Sequence, residues 1–519
     1  TSQEAASFQT LGRYLTYPDM HLRADTGTIE NGLTAQSALW PLAISGDFPI
    51  FVLRINDEID VEVAREALRA QDYLRHRGVV ADLVILNERA ASYAQDMQHT
   101  LDHMCENLRI RSQSDGARQH VFTVRRDLMD VTTWQALLAT ARAVFHARNG
   151  TLSDQIARTV SLFSTPRGEE EAKAEATPAP VPKLPVPVAD EPVEIDGKGL
   201  TFWNGFGGFN EERREYAVRL RGGEATPQPW INVIANQHFG FHVSAEGASY
   251  TWSRNSRDFQ LTHWTNDPVI NRPGEAFYIR DNDRGTVTTP FAALSRKKSV
   301  KFETWHGLGY SAFRSWEDGI ELDLAQPADP EEPVKDSRLA LKNTGETERS
   351  LTVYGYVEWV LGNNPAKTAP FVLTSQDEES GALFATNPYS FDFAGRTSFF
   401  AVDAPVAGFT AKRREFIGRG GDIVLPGAVV AGQALSGSAE GIGDPCAALA
   451  VEIVLKPGEK RELLFVLGDT ADADGARALA EKSRSADFDA VMATVRAYWS
   501  DFTGTLQVKT PDAALDRMV

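Results

Sequence analysis

The sequence predicts a multidomain protein: a small α/β domain, then a large antiparallel β-sandwich (a super-sandwich), then terminal linker helices. Three observations carry this. Strand-like and helix-like segments alternate three times before residue 166, the pattern of a small layered α/β unit with parallel pairing. A Pro/Ala-rich run with an acidic start, "GEEEAKAEATPAPVPKLPVPVADEPVE", interrupts the chain. From about residue 200, a dozen short segments alternate apolar with polar residues between Gly, Pro, Asn and Asp at roughly ten-residue spacing, which is how a large sandwich reads. The expected domains are 1–166, a linker over 167–197, the sandwich over 198–470 and helices over 471–519.

In the first block, "QEAASFQTLGRYLTY" places Phe8, Leu11 and Leu15 at helical spacing. "FPIFVLRI" is short, continuously apolar and rich in β-branched residues, and reads as a buried strand. A helix follows over 60–78, with Asp60 as N-cap and Gly78 as its stop. "VVADLVILNE" is a second buried strand and "SYAQDMQHTLDHMCENLRIR" a second helix. "HVFTVRRD" is the third strand, and "TTWQALLATARAVFHARNG" reads as a third helix from Thr132 to Gly150. There is no GxGxxG and no P-loop, so nucleotide binding has no support. His99 and His103 stand four apart on one helix, but with no third ligand nearby they read as surface or partly buried histidines, and no metal site is expected. The Pro/Ala-rich run cannot bury a core and reads as an extended tether, the first place for proteolysis. After the sandwich, "DGARALAEKSRSADFDAVMATVRAYWSDFTG" reads as two helices, with Thr510 or Asp512 placed to cap another at the chain end.

Bulk properties narrow the function classes. A formal net charge of -18 over 519 residues argues against nucleic acid as a partner, because phosphate backbones need Lys/Arg-rich faces. The two cysteines, Cys105 and Cys446, form no CxxC pair and suit a reducing compartment. The longest apolar runs are strand-length, short of the ~20 residues that span a bilayer. The opening residues "TSQEAASFQT" lack a signal-peptide pattern and an initiator Met, so a piece of something larger is expected.

The densest chemistry lies between residues 200 and 316, which hold Trp203, Trp230, Trp252, Trp264, Trp305 and Trp316, six of the ten tryptophans. Between them stand Asn204, Arg254, Asn255, Arg257, Asn266, Asp267 and the run "RDND". Flat aromatic faces with fork-like donors suit a polyhydroxylated ligand. The same residues also suit sandwich core and turns. Trp230, within "PWINVIA", reads as core, and Trp252, in a polar stretch with two arginines, as surface. Asp281 and Asp283 could pair as acid and base, yet "RDNDRG" also reads as a hairpin turn.

The run "REYAVRL…TPQPWINVIANQHFGFHVSAEGASYTWSRNSRDFQLTHWTNDPVINRPGEAFYIRDNDRG…WHGLGYSAF" resembles the N-terminal β-sandwich of the inverting phosphorylases of glycoside hydrolase family ninety-four, cellobiose phosphorylase among them. Within that family it is most like the carboxyl-terminal part of the cyclic β-1,2-glucan synthases, and "GDPCAALAVEIVLKPGEKRELLFVLG" and "SALWPLAISGDFPIFVLRINDEIDVEVAREAL" extend the likeness over nearly the whole chain. The resemblance implies a general acid in an (α/α)6 barrel beyond this sandwich, with phosphate attacking from the opposite face. No residue here matches that acid, so no catalytic residue is expected and the chain alone should be silent. Trp252, Arg254, Arg257, Arg280, Asp281, Trp305 and His306 are expected to cluster at one end of the sandwich as a glucan-facing surface. The implied partners are β-1,2-glucan and the parent's barrel and transferase domains, with homo-oligomerisation open. UDP-glucose and phosphate would serve the parent, no cofactor this chain, and the location implied is the cytoplasmic side of a bacterial inner membrane. A spacer without ligand contact, or part of a stand-alone oligosaccharide phosphorylase, are the alternative readings.

Overall fold

A computed structural model describes residues 1–89, 96–114, 120–164 and 190–518. The chain divides into two compact units, Thr1–Pro180 with Pro388–Ala394, and Val181–Asn387 with Gly395–Val519.

The first unit is built on four parallel strands, β1 (Ile50–Ile55), β2 (Asp82–Asn87), β3 (Val121–Arg125) and β4 (Ala143–His146), in the order β3-β2-β1-β4. Continuous burial of β1 and β2 follows from helices lying on the sheet, as parallel sheets require. Phe8, Leu11 and Leu15 of the first helix, Ser2–Thr16, enter this core beside Phe51, Leu53 and Ile85, as their spacing predicts. Asp60 stands at the N-cap position of the helix Val61–His76, as expected, but its carboxylate turns back to the amides of Asn56 and Asp57, at 2.8 and 3.0 Å, and makes no cap hydrogen bond to that helix. One local expectation is corrected. The predicted helix 132–150 is a shorter helix, Val131–Thr140, capped by Asp130, followed by strand β4. In "ARAVFHARNG" the alternation of Ala143 and Phe145 toward the core is a period of two, and pairing with β1 overrides its helical composition.

Within the expected tether, residues 167–189 lie outside the described residues. Its last stretch belongs to the sandwich: Val193 donates its N–H to the Lys298 carbonyl at 3.0 Å, and the Asp190 carboxylate accepts from the Ser299 amide at 2.9 Å.

The second unit is the large sandwich, a nine-stranded and a ten-stranded antiparallel sheet. Alternate residues of each strand face the partner sheet, giving aromatic contacts such as Phe277–Phe465, with ring centroids 5.2 Å apart, and Phe291, from a connecting loop, adds a contact with Phe313 at 5.0 Å. One ion pair also crosses this interior. Lys335 of the ten-stranded sheet reaches Glu275 of the nine-stranded sheet at 2.7 Å, and Thr251 and Thr262 donate to the same carboxylate. Burial would raise the Glu275 pKa, but the Lys335 charge and these hydrogen bonds hold it below its usual value. Helices Ala473–Arg484 and Phe488–Gly504 follow, then Ala513–Met518, where Asp512 accepts from the Ala514 amide. Among the described residues no helix is long and apolar enough to cross a membrane.

Candidate functional site

The nine-stranded sheet presents an aromatic surface on the face away from its partner. Strands Ile231–Ala235, Phe239–Ser244 and Ser249–Ser253 pair so that Val233, His242 and Tyr250 form one cross-strand row, and Ala235, Gly240 and Trp252 the next. Period-two alternation puts all six side-chain positions on one face. Tyr250 stacks on Trp264 with centroids 5.0 Å apart and planes 7° apart, His242 meets both edge-on, and Trp252 lies 5.3 Å from Tyr250. Gly240 makes this seat: a Cβ there would stand 2.6 Å from Cζ2 of the Trp252 indole. Burial pushes the His242 imidazole down to about 4, so it is neutral in the physiological range. Ile231, Val233 and Trp264 are exposed, and Trp252 is half-buried.

Beside this face the loop after Trp252 turns sharply. Arg254 adopts φ 62° and donates its amide to the His238 carbonyl at 2.7 Å, while Asn255 accepts from the Arg257 and Asp258 amides. The side chains of Arg254 and Arg257 are left in solvent, the latter 88% exposed. After Trp264, the segment 268–273 borders a crevice of about 710 Å³ whose polar walls include Thr226, Glu246, Asn271, Arg272, Arg413 and Asp422. Glu358 gathers Arg272 at 2.7 Å and Arg413 at 3.2 Å. Burial would raise its carboxyl, but the guanidiniums keep it below the usual range.

The seven residues expected to share one surface do not meet. Trp252, Arg254 and Arg257 do stand together. Asp281 pairs with Leu351, whereas Gln260, the neighbour of Trp252, pairs with Gly362 of the same strand. That separation from 351 to 362 is roughly 35 Å at the rise of an extended chain. There, Arg280 donates to the Val430 carbonyl at 2.9 Å and Asp281 is buried in an ion pair with Arg349 at 2.5 Å. The other Asp281 oxygen accepts from the Asp283 and Arg284 amides, so "RDND" is a hairpin turn and its first carboxylate is structural. Trp305 and His306 belong to the other sheet, on strand Lys301–Gly307, and Trp305 is buried. His306 points toward the sandwich interior, where its Nδ1 lies 2.9 Å from the Ser311 hydroxyl and burial drives its pKa to about 4. The sequence argument missed His242 and Tyr250, whose signal was the alternation in "GFHVSAEGASYTW", and the Arg272–Glu358–Arg413 group, whose members are distant in sequence.

Residues 214–486 match the family model "Glycosyl hydrolase 94, supersandwich domain", which is more than half of the chain. The chain belongs to this glycosyl hydrolase 94 supersandwich family. As a member of it, the chain is 60% identical over 519 residues to the cyclic beta-(1,2)-glucan synthase NdvB of Rhizobium meliloti (strain 1021), covering 100% of this chain and 18% of that protein. It is 26% identical over 330 residues to the N,N'-diacetylchitobiose phosphorylase of Vibrio furnissii, covering 60% of this chain and 39% of that one. It is 27% identical over 333 residues to the solabiose phosphorylase of Paenibacillus borealis, covering 60% and 41%. The chain thus spans under half the length of each of these relatives.

Proposed function

We propose that this chain is a segment of a cyclic β-1,2-glucan synthase. In this reading its supersandwich supports, and with the Trp252–Trp264 face lines, the saccharide site of a phosphorylase-like domain acting on β-1,2-glucan. The observation that carries the proposal is the 60% identity to such a synthase along all 519 residues. The chemistry agrees: the indole surfaces of Trp252 and Trp264, the latter backed by the buried Tyr250 ring, suit the C–H faces of glucose units, and Arg254 and Arg257 offer donors to hydroxyls. The general acid, the UDP-glucose and phosphate chemistry and a place at the cytoplasmic side of a bacterial inner membrane belong to the parent protein in this reading.

A second reading is a spacer that buttresses its neighbours without touching sugar. It is favoured by the structural employment of Arg280, Asp281, Trp305 and His306. Affinity electrophoresis of the 519-residue chain through linear β-1,2-glucan separates the two. Retardation that Trp252→Ala weakens by about fivefold, on the order of 1 kcal/mol for one aromatic contact, supports the saccharide role. Unretarded migration of the wild-type chain supports the spacer.

A further inference from the structure

The ten-stranded sheet carries a second concavity, on its face away from the nine-stranded sheet and separate from the surface above. Its floor follows from strand register. Ala217, Trp305, Ala312, Ala325 and Arg338 form one cross-strand row, and Glu303, Arg314 and Asp323 the next. Two adjacent alanines between an indole and a guanidinium leave a depression about two strand spacings wide, ~10 Å. Helix Phe488–Gly504 closes one side: Phe488 and Met492 pack with Tyr310, Ala325 and Leu464, and Trp499 lies against the turn at Gly309, where φ is 81° and a Cβ would collide with the indole. What remains are two adjoining cavities of about 120 and 280 Å³, both lined by Arg213, Glu215, Tyr310 and Arg496.

The polar groups inside are incompletely matched. Trp305 is buried, yet its Nε1–H has no acceptor; Glu215, also buried, accepts from the Tyr310 hydroxyl at Oε1, while its Oε2 accepts no hydrogen bond and has the Arg213 Nε beside it at 3.4 Å. Arg314 is neutralised by Asp323 at 2.7 Å. Arg338 stands 3.7 to 3.9 Å from Asp323, Glu462 and Asp489, and its buried Nε has no partner. Arg213 lies over the Trp305 ring and 3.4 Å from Glu215, and Arg496 lies over the Tyr310 ring and donates to its hydroxyl at 3.3 Å. Across the two cavities five guanidiniums, of Arg213, Arg214, Arg314, Arg338 and Arg496, stand against three carboxylates, of Glu215, Asp323 and Asp489, a local excess of two positive charges in a protein of net charge -18. Buried polar atoms without partners are costly, and a ligand that satisfies them is stabilised for the same reason.

We propose that this cleft binds a phosphorylated monosaccharide. Arg213, Arg338 and Arg496 take the phosphate oxygens, for which guanidinium forks are suited. Glu215 Oε2 accepts from a sugar hydroxyl, and the Trp305 Nε1–H donates to another. A bare phosphate would draw Arg213 from Glu215 and leave that carboxylate facing an anion, and a neutral sugar would leave the local positive excess unmatched.

Isothermal titration calorimetry of the full chain with glucose 6-phosphate, glucose and inorganic phosphate tests this. Saturable binding of glucose 6-phosphate is expected, about tenfold or more tighter than either of the others, in keeping with several charge-assisted hydrogen bonds. Arg496→Gln and Arg213→Gln, both at exposed rim positions, should each weaken it by about tenfold with an unchanged melting temperature. Ser500→Trp, which narrows the wider mouth from an exposed helix position, should abolish it. Absence of saturable heat, equal affinity for phosphate alone, or wild-type affinity in Arg496→Gln and Ser500→Trp each overturns the proposal.

Discussion

Replacing Lys335 by Met tests how the two sheets are tied together. The ammonium lies 2.7 Å from Glu275 and 3.0 Å from the Ser249 hydroxyl, and both charges are fully inside the sandwich. Methionine fills the aliphatic volume but leaves the Glu275 carboxylate with only neutral donors, Thr251 and Thr262 at 2.6 and 2.7 Å and Ser249 at 3.4 Å. Breaking a buried pair from one side costs about 3–5 kcal/mol. At about 2.1 cal/mol/K per residue, the segment 214–486 has an unfolding entropy near 0.6 kcal/mol/K, so a ~4 kcal/mol loss lowers its melting temperature by about 7 °C. The variant should also acquire a pH dependence. Without Lys335, burial raises the folded-state pKa of Glu275 above the ordinary 4.5, so stability is lost as pH rises from the unfolded value toward the folded one. Differential scanning calorimetry at pH 5 and pH 8 should therefore show the larger deficit at pH 8. Adding Glu275→Gln should recover most of it, because the amide accepts from both threonines and donates to Ser249. A Lys335→Met protein melting within about 1 °C of wild type, or a double variant no better than the single, would refute the reasoning.

Three further outcomes follow from the geometry. Asp281→Asn keeps the turn acceptor but strands Arg349, so chemical denaturation should show a loss of about 3 kcal/mol while glucan retardation is unchanged; lost retardation in a folded variant would restore Asp281 to the ligand surface. Burial, with the nearby Asp329 charge, raises the Asp336 carboxyl to about 7, and its Oδ1 has no partner. The folded protein thus loses stability as pH climbs from the unfolded value near 4 to about 7, and Asp336→Asn should raise the melting temperature at pH 8 but scarcely at pH 4.5. On the aromatic face, Gly240→Ala drives a methyl group into the Trp252 indole and should change the indole's fluorescence and weaken glucan retardation together; retardation at wild-type strength would detach Trp252 from the ligand surface.

The sequence by itself determined the architecture, because period and punctuation are local. Continuous apolar runs such as "FVLRI" dictate strands covered on both faces, and the ten-residue cadence of alternating segments after residue 200 dictates an antiparallel sandwich. It also held the hairpin at "RDND", since turn chemistry lies within four residues. Strand β4 was hidden because Ala143–His146 is too short to outweigh its helix-forming neighbours until β1 pairs with it. The grouping of polar and aromatic residues could be settled only by tertiary structure. Trp252 and Trp305 look alike in sequence, but the first lies half-buried on the outer face of one sheet and the second is buried on the other, at the floor of a cleft beside a helix. Arg254 and Arg280 both flank aromatic strands, yet one ends in solvent and the other on the Val430 carbonyl. The physical reason is that register and sheet order fix which side chains meet, and both arise from pairings such as Asp281 with Leu351 and Gln260 with Gly362, between segments about 70 and 100 residues apart, on which local periodicity carries no information.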